Sequence, residues 1–289
     1  MKNKYRKTLF LTPLALMVVG TAVNAGEIKP MAAPAPAAPS PTEDVISGIL
    51  KLDFNSHFVS YGLDVWSDGS KMSETGFNPN LELYIALPAN LTLTIGTWMD
   101  VNSKIANSDG VTDSPLGGRI QEVDAYVGLS YAIDKFSVGV TYQAWMYGSD
   151  TENILDVKFA YDCFLAPSLT VHNRLEQGAA SGDEGTILVL GLSHSVEAGP
   201  VTFSFPFNLA YFLTEDYHNF PVKGGSDKGF GYLSIGASAS LPLTPYIGDG
   251  FGEWALNGGV TYFFTDDEII PNNPKSNFLT ASVGLSVAF

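Results

Sequence analysis

The sequence predicts an all-β fold, a transmembrane antiparallel up-and-down β-barrel of about twelve strands, and three observations predict it. From Ile49 onward, segments of about ten residues alternate apolar and polar positions, the length a tilted strand needs to cross a hydrocarbon layer. The connections between segments alternate short and long. The chain is 45% hydrophobic with 13 Tyr, 18 Phe and 29 Gly, yet after its first segment it has no apolar run long enough for a helical span, roughly 18 residues.

The first segment is a signal peptide by its order. Lys2, Lys4, Arg6 and Lys7 precede an apolar stretch from Thr8 to Val19, and small residues end at Ala22-Val23-Asn24-Ala25. Residues 1–25 are therefore expected to be removed. Residues 26–46 carry Pro30, Pro34, Pro36, Pro39 and Pro41 among alanines, a composition that favours extended polyproline conformations and is read as a periplasmic tether. Residues 47–289 are the expected barrel.

Parity can be read directly in several segments. Leu91, Leu93, Ile95, Thr97 and Met99 share one face of the third, against Thr92, Thr94, Gly96, Trp98 and Asp100. In the fourth, Val123, Ala125, Val127, Leu129 and Tyr131 oppose Glu122, Asp124, Tyr126, Gly128 and Ser130. The ninth carries an apolar face from Val201 through Phe203, Phe205, Phe207, Leu209 and Tyr211 to Leu213, and the last one from Leu279 to Phe289.

A soluble sandwich also alternates, so the second face and the connections decide. The polar faces hold Gly, Ser, Thr and lone charges, as a lumen would. Short turns follow the even strands at Pro88-Ala89-Asn90, Asp134-Lys135, Ala166-Pro167 and Ala198-Gly199-Pro200. Longer acidic loops follow odd strands at Gly62 to Asn78, Asn102 to Arg119 and Glu215 to Lys228, and only Pro242 to Gly252 is a turn longer than its place predicts. Tyr131, Phe136, Tyr161 and Phe203 beside the turns, and Tyr211, Tyr262 and Phe264 beside the loops, read as two interfacial girdles.

The ending "NFLTASVGLSVAF" resembles the C-terminal signal by which bacterial outer-membrane proteins are recognised for assembly, with Phe289 as its last residue. "NSHFVSYGLDVWSDG", "GTWMDVNS" and "QEVDAYVGLSYAID" resemble the opening strands of the TorF-type porin family, with Tyr61-Gly62 where that family carries Arg-Gly. The resemblance implies the outer membrane of a Gram-negative bacterium and a porin. Its implied partners are outer-membrane lipids and lipopolysaccharide, the barrel-assembly machinery and small solutes.

Charge and motif bound the chemistry. Without the four signal cations the chain has 11 Lys and Arg against 30 Asp and Glu, a net −19, which opposes nucleic acid as a partner. No phosphate loop, HExxH or CxxC is present, and no cofactor is expected. The run Asp266-Asp267-Glu268 lacks the ligand spacing and turn glycine of a dedicated calcium loop, so no metal site is expected. The lone Cys163 reads as a small packed hydrophobe. An outer-membrane lipid hydrolase needs Ser and His together on the outward face. The neighbours Ser193, His194 and Ser195, and Ser56 with His57, are adjacent in sequence and so point to opposite faces of a strand, which makes an enzyme the minor alternative.

Parity sets Lys51, Asp53, His57, Glu82, Trp98, Glu122, Asp124, Asp156, Lys158, His172, Arg174 and Glu176 on the inward face, with Asp100 and Asp162. This mainly acidic lumen favours cations or neutral solutes if water fills it. A hairpin centred on Leu165 and Ala166 sets Asp156 opposite Arg174 and Lys158 opposite His172, leaving Lys158 and Arg174 to face the acidic fourth strand. Inward glycines at 96, 128, 139, 236 and 284 favour free space. The expected function is passive diffusion of small hydrophilic solutes. A structural barrel that binds a partner, its lumen closed by side chains or tether, is the other alternative.

Overall fold

The computed structural model describes residues 45–66, 68–69, 71–72, 75–102, 119–147, 150–176, 182–218, 225–248 and 252–289. The expected signal peptide and nearly all of the tether lie outside the described residues. The strands are β1 (Ile46–Asn55), β2 (Val59–Ser60), β3 (Leu63–Asp64), β4 (Gly76–Leu87), β5 (Leu91–Val101), β6 (Ile120–Ile133), β7 (Phe136–Tyr147) and β8 (Asp150–Tyr161). They continue with β9 (Ser168–Arg174), β10 (Gly185–Ala198), β11 (Val201–Phe212), β12 (Gly229–Pro242), β13 (Glu253–Thr265) and β14 (Asn277–Ala288).

Twelve of these close one antiparallel barrel in sequence order, with β1 pairing both β4 and β14. Closure leaves no strand edge, which is the condition for a sheet to cross lipid. At the seam Ile49 faces Ala288 and Asn55 faces Ser282. Gly48 and Phe289 exchange backbone hydrogen bonds of 2.7 and 3.0 Å. A Cβ at Gly48 would meet the Phe289 ring, which would have to move aside.

The period-2 pattern explains both surfaces. Residues such as Ile95, Val127, Leu129, Val140, Phe205, Ile235, Val260 and Val283 point outward and are exposed. In water each such side chain forfeits about 1.5–3 kcal/mol of burial; against acyl chains it does not. Tyr131, Phe136, Tyr161 and Phe203 at one end, and Tyr211, Tyr262 and Phe264 at the other, are exposed on the same outer surface.

One end of the barrel holds the hairpins. Ala89, Asn90, Asp134, Ala166 and Gly199 take the left-handed backbone that tight turns require. The 243–252 connection, the long exception, contains one helical turn, α1 (Thr244–Ile247), with Tyr246 and Ile247 exposed. Cys163 is exposed in the turn between β8 and β9 rather than packed. The connections at the other end are longer, save 148–149 between β7 and β8, which is only two residues.

The first strand is shorter than its alternation suggests. β1 ends at Asn55, and the chain to Leu63 and Asp64 then leaves the wall and folds into the barrel as the β2–β3 hairpin. Its tip is Tyr61-Gly62, both at positive φ, the geometry of a two-residue hairpin turn.

Candidate functional site

The lumen has two halves. At the loop end it is filled by a plug made from three connections, the β2–β3 hairpin, the 213–218 segment after β11 and the 266–276 segment before β14. Tyr61, Leu63, Tyr217, Ile269 and Ile270 from the plug pack with Trp145, Ile154, Ile187, Val189, Ala210, Phe212 and Tyr232 from the wall. Val59 packs with Phe263 and Phe278. The three connections are tied to one another by polar contacts. Asn273 Nδ2 donates to Gly62 O at 2.7 Å, Asp64 N–H donates to Asn273 Oδ1 at 2.7 Å, and Asn272 Nδ2 donates to His218 O at 3.2 Å. His218 Nε2 lies 3.1 Å from Tyr61 O.

His172 on β9 is where plug and wall meet. Tyr61 Oη and Asp156 Oδ1 each lie 2.7 Å from its Nδ1, and Tyr217 Oη lies 2.7 Å from its Nε2. The Tyr61 ring stacks on the imidazole with centroids 3.9 Å apart. Gln143 Nε2 holds the other Asp156 oxygen at 2.6 Å. Two positions along β9, Arg174 donates Nε to Glu152 Oε2 at 2.9 Å and Nη1 to Tyr217 O at 2.8 Å, and its guanidinium covers the Tyr217 ring at 3.8 Å. Gly182 is required beside it, since a Cβ would collide with the Tyr217 carbonyl.

This corrects the expected register. Asp156 faces His172, not Arg174, and Ile154 faces Arg174. The pairing is displaced by two residues, which leaves every side chain on the same face but gives Arg174 to Glu152. Arg174 is thus engaged and does not face β6 as a second cation beside Lys158.

The wall from β1 to β6 is polar. Asp53, Glu82, Asp100, Glu122 and Asp124 share its inner face, and Lys51 is the one inward cation among the described residues of those four barrel strands. Asp100 accepts from Trp66 Nε1 at 2.8 Å, Asn102 Nδ2 at 2.9 Å and Asn78 Nδ2 at 3.2 Å. Glu82 accepts from Tyr126 at 2.9 Å and from Tyr84. Trp98 packs against Phe58, just ahead of the plug hairpin, with ring centroids 5.1 Å apart and the planes tilted by 44°.

Four expectations fail in place. Glu176 lies past the end of β9, exposed, where its carboxylate accepts from Asn153. Asp162 lies past β8 in the turn and is exposed. His57 sits in the plug rather than on a strand, and Ser56 Oγ reaches its Nδ1 at 2.8 Å; the adjacent pair meets because β1 has already ended. Finally, inward glycines are not uniformly free space. A Cβ at Gly96 would strike the Tyr126 ring and one at Gly284 the Asp53 carboxylate, so these two are sockets. On the outer face, His194 Nδ1 lies 2.9 Å from Phe164 O; Ser195 points inward, where its Oγ lies 2.8 Å from Ser204 Oγ.

The residues missed from sequence are Tyr61, Tyr217, His218, Ile270 and Asn273. One signal was present: "HFVSYGLDVW" is too apolar and aromatic for a loop left in water.

The turn-side half is different. Its inner positions are small or hydroxylated, including Thr92, Thr94, Ser130, Gly139, Thr170, Ser204, Ser238 and Ser286.

No family model and no curated protein matches the chain. Among solved structures it is similar to the NanC porin, with 10% identity over 83% of this chain and 98% of that one and a TM-score of 0.45. It is similar to an outer membrane channel from Pseudomonas putida F1, with 13% identity over 91% and 100% and a TM-score of 0.49. A third is the translocator domain of the autotransporter NalP from Neisseria meningitidis, with 11% identity over 86% and 90% and a TM-score of 0.40.

Proposed function

We propose that the chain is a loop-constricted, porin-like channel of a Gram-negative outer membrane that passes small hydrophilic solutes and disfavours anions at its constriction. The observation that carries this reading is the inward face of β1, β4, β5 and β6, where five carboxylates stand against one lysine. Carboxylates are rarely buried without a polar task, and a row of them beside a narrowing focuses a field that favours cations and neutral solutes. The plug then sets the width, and it meets this wall where Trp66 Nε1 donates to Asp100. The outer apolar belt and its two aromatic rows suit a bilayer with lipopolysaccharide outside, and the opening-strand resemblance to TorF-type porins agrees with the reading.

Planar-bilayer recording of the refolded protein across a salt gradient tests it. Openings with cation preference, weakened in the paired variant Glu122→Gln with Asp124→Asn, are expected. Anion preference, or a folded barrel that stays silent, overturns it. The interlocked plug favours a second reading, a closed barrel that binds a partner, and silence in a folded barrel is its signature.

A further inference from the structure

Directly beneath the plug, one inward lysine has an acidic neighbour whose oxygens are held by other groups. Lys158 lies two residues from Asp156 on the same face of β8, but both Asp156 oxygens are engaged, one by His172 and the other by Gln143. Lys158 makes no hydrogen bond or ion pair among the described residues. Its cross-strand neighbours are Gly139 on β7 and Thr170 on β9. Gly139 faces Ser130 on β6, whose Oγ is buried with no hydrogen-bond partner. Unlike Gly96 and Gly284, Gly139 is not a socket, since a Cβ there would meet nothing closer than 3.6 Å. One row of the wall therefore offers a hydroxyl, a position without a side chain, an ammonium and a second hydroxyl.

The geometry points to an anion subsite at Lys158, completed by Ser130 and Thr170, that takes the carboxylate or phosphate group of a small solute entering from the turn side. An ammonium and flanking hydroxyls can donate together to one negatively charged oxygen group, and such charge-assisted bonds are the strong ones. The subsite deepens the proposed function and rests on its reading of the lumen as solute-accessible. A solute compatible with both this lysine and the carboxylate wall carries an anionic group at one end and a neutral or cationic group at the other.

Calorimetric titration of the refolded barrel in detergent tests it, with inorganic phosphate and acetate as probes and methylammonium as the control cation. Saturable binding of both anions is expected, weakened about tenfold or more in Lys158→Gln and retained in Lys158→Arg. Lys228→Gln, on an exposed lysine paired with Glu215 outside the barrel, should bind as the parent does. Absence of binding in the parent, or equal binding by Lys158→Gln, overturns the subsite. Should Lys158→Gln fail to fold, Thr170→Val decides: about threefold weaker binding supports the subsite, and unchanged binding overturns it. The titration needs no current. A barrel that binds phosphate but never conducts keeps the subsite and loses the channel, and one that conducts without binding does the reverse.

Discussion

The loop-side and turn-side halves of this barrel share the same strands and are built on opposite principles. In the loop-side half, long aromatic and charged side chains reach inward, and three connections fold back to meet them, so that Tyr61, His172, Tyr217 and Arg174 form one satisfied network. In the turn-side half the inner positions are mostly Ser, Thr and Gly, with Tyr84 and Lys158 among the longer side chains. Buried polar networks are high-stakes, rigid when complete and costly when broken, whereas a floor of small hydroxyls tolerates change.

Breaking the network at its charge is expected to have the largest effect. Arg174→Ala leaves Glu152 buried without its cation and removes the Tyr217 contact, at a cost of about 3–5 kcal/mol. Limited proteolysis of folded protein should then cut the plug segments, and conductance should rise. Gly182→Ala forces Tyr217 and the guanidinium apart without touching a charge and should cost about 1–3 kcal/mol in chemical denaturation. Tyr61→Phe deletes one hydroxyl at His172 and should cost about 0.5–1.5 kcal/mol.

Acid sharpens the same comparison. Burial, reinforced by the Arg174 guanidinium, pushes His218 down to about 3, so the plug holds it neutral. Its folded value lies below its unfolded one, so its contribution is full above about 6.5 and is lost as pH falls toward 3. Asp64, raised by burial, works in the opposite sense. Proteolytic opening of the plug should increase as pH drops from 7 to 4, and His218→Gln should flatten that slope; an unchanged slope removes the histidine from the account. The smallest effect belongs to the other half, where Ser240→Ala should shift stability by less than about 1 kcal/mol and leave proteolysis unchanged.

Legibility followed the same division. The faces of the segments that begin at Leu91, Glu122, Val201 and Leu279 could be read because a period of two is local. The β8–β9 register could not, because pairing Asp156 with Arg174 or with His172 leaves the same residues inward, and the six-residue connection 162–167, with Ala166 at positive φ, chose between them. His57 and Glu176 were misplaced for a related reason, since alternation continues on paper past the residue where a strand stops.

The sequence alone determined the class: a strand-length period, an apolar outer face and alternating turns and loops admit few folds other than a closed barrel. Tertiary structure alone decided what fills it. Tyr61, His172, Tyr217 and Asn273 are separated by 111 residues in the first step and 211 between Gly62 and Asn273, and no local pattern encodes a contact that exists only once twelve strands have closed around it.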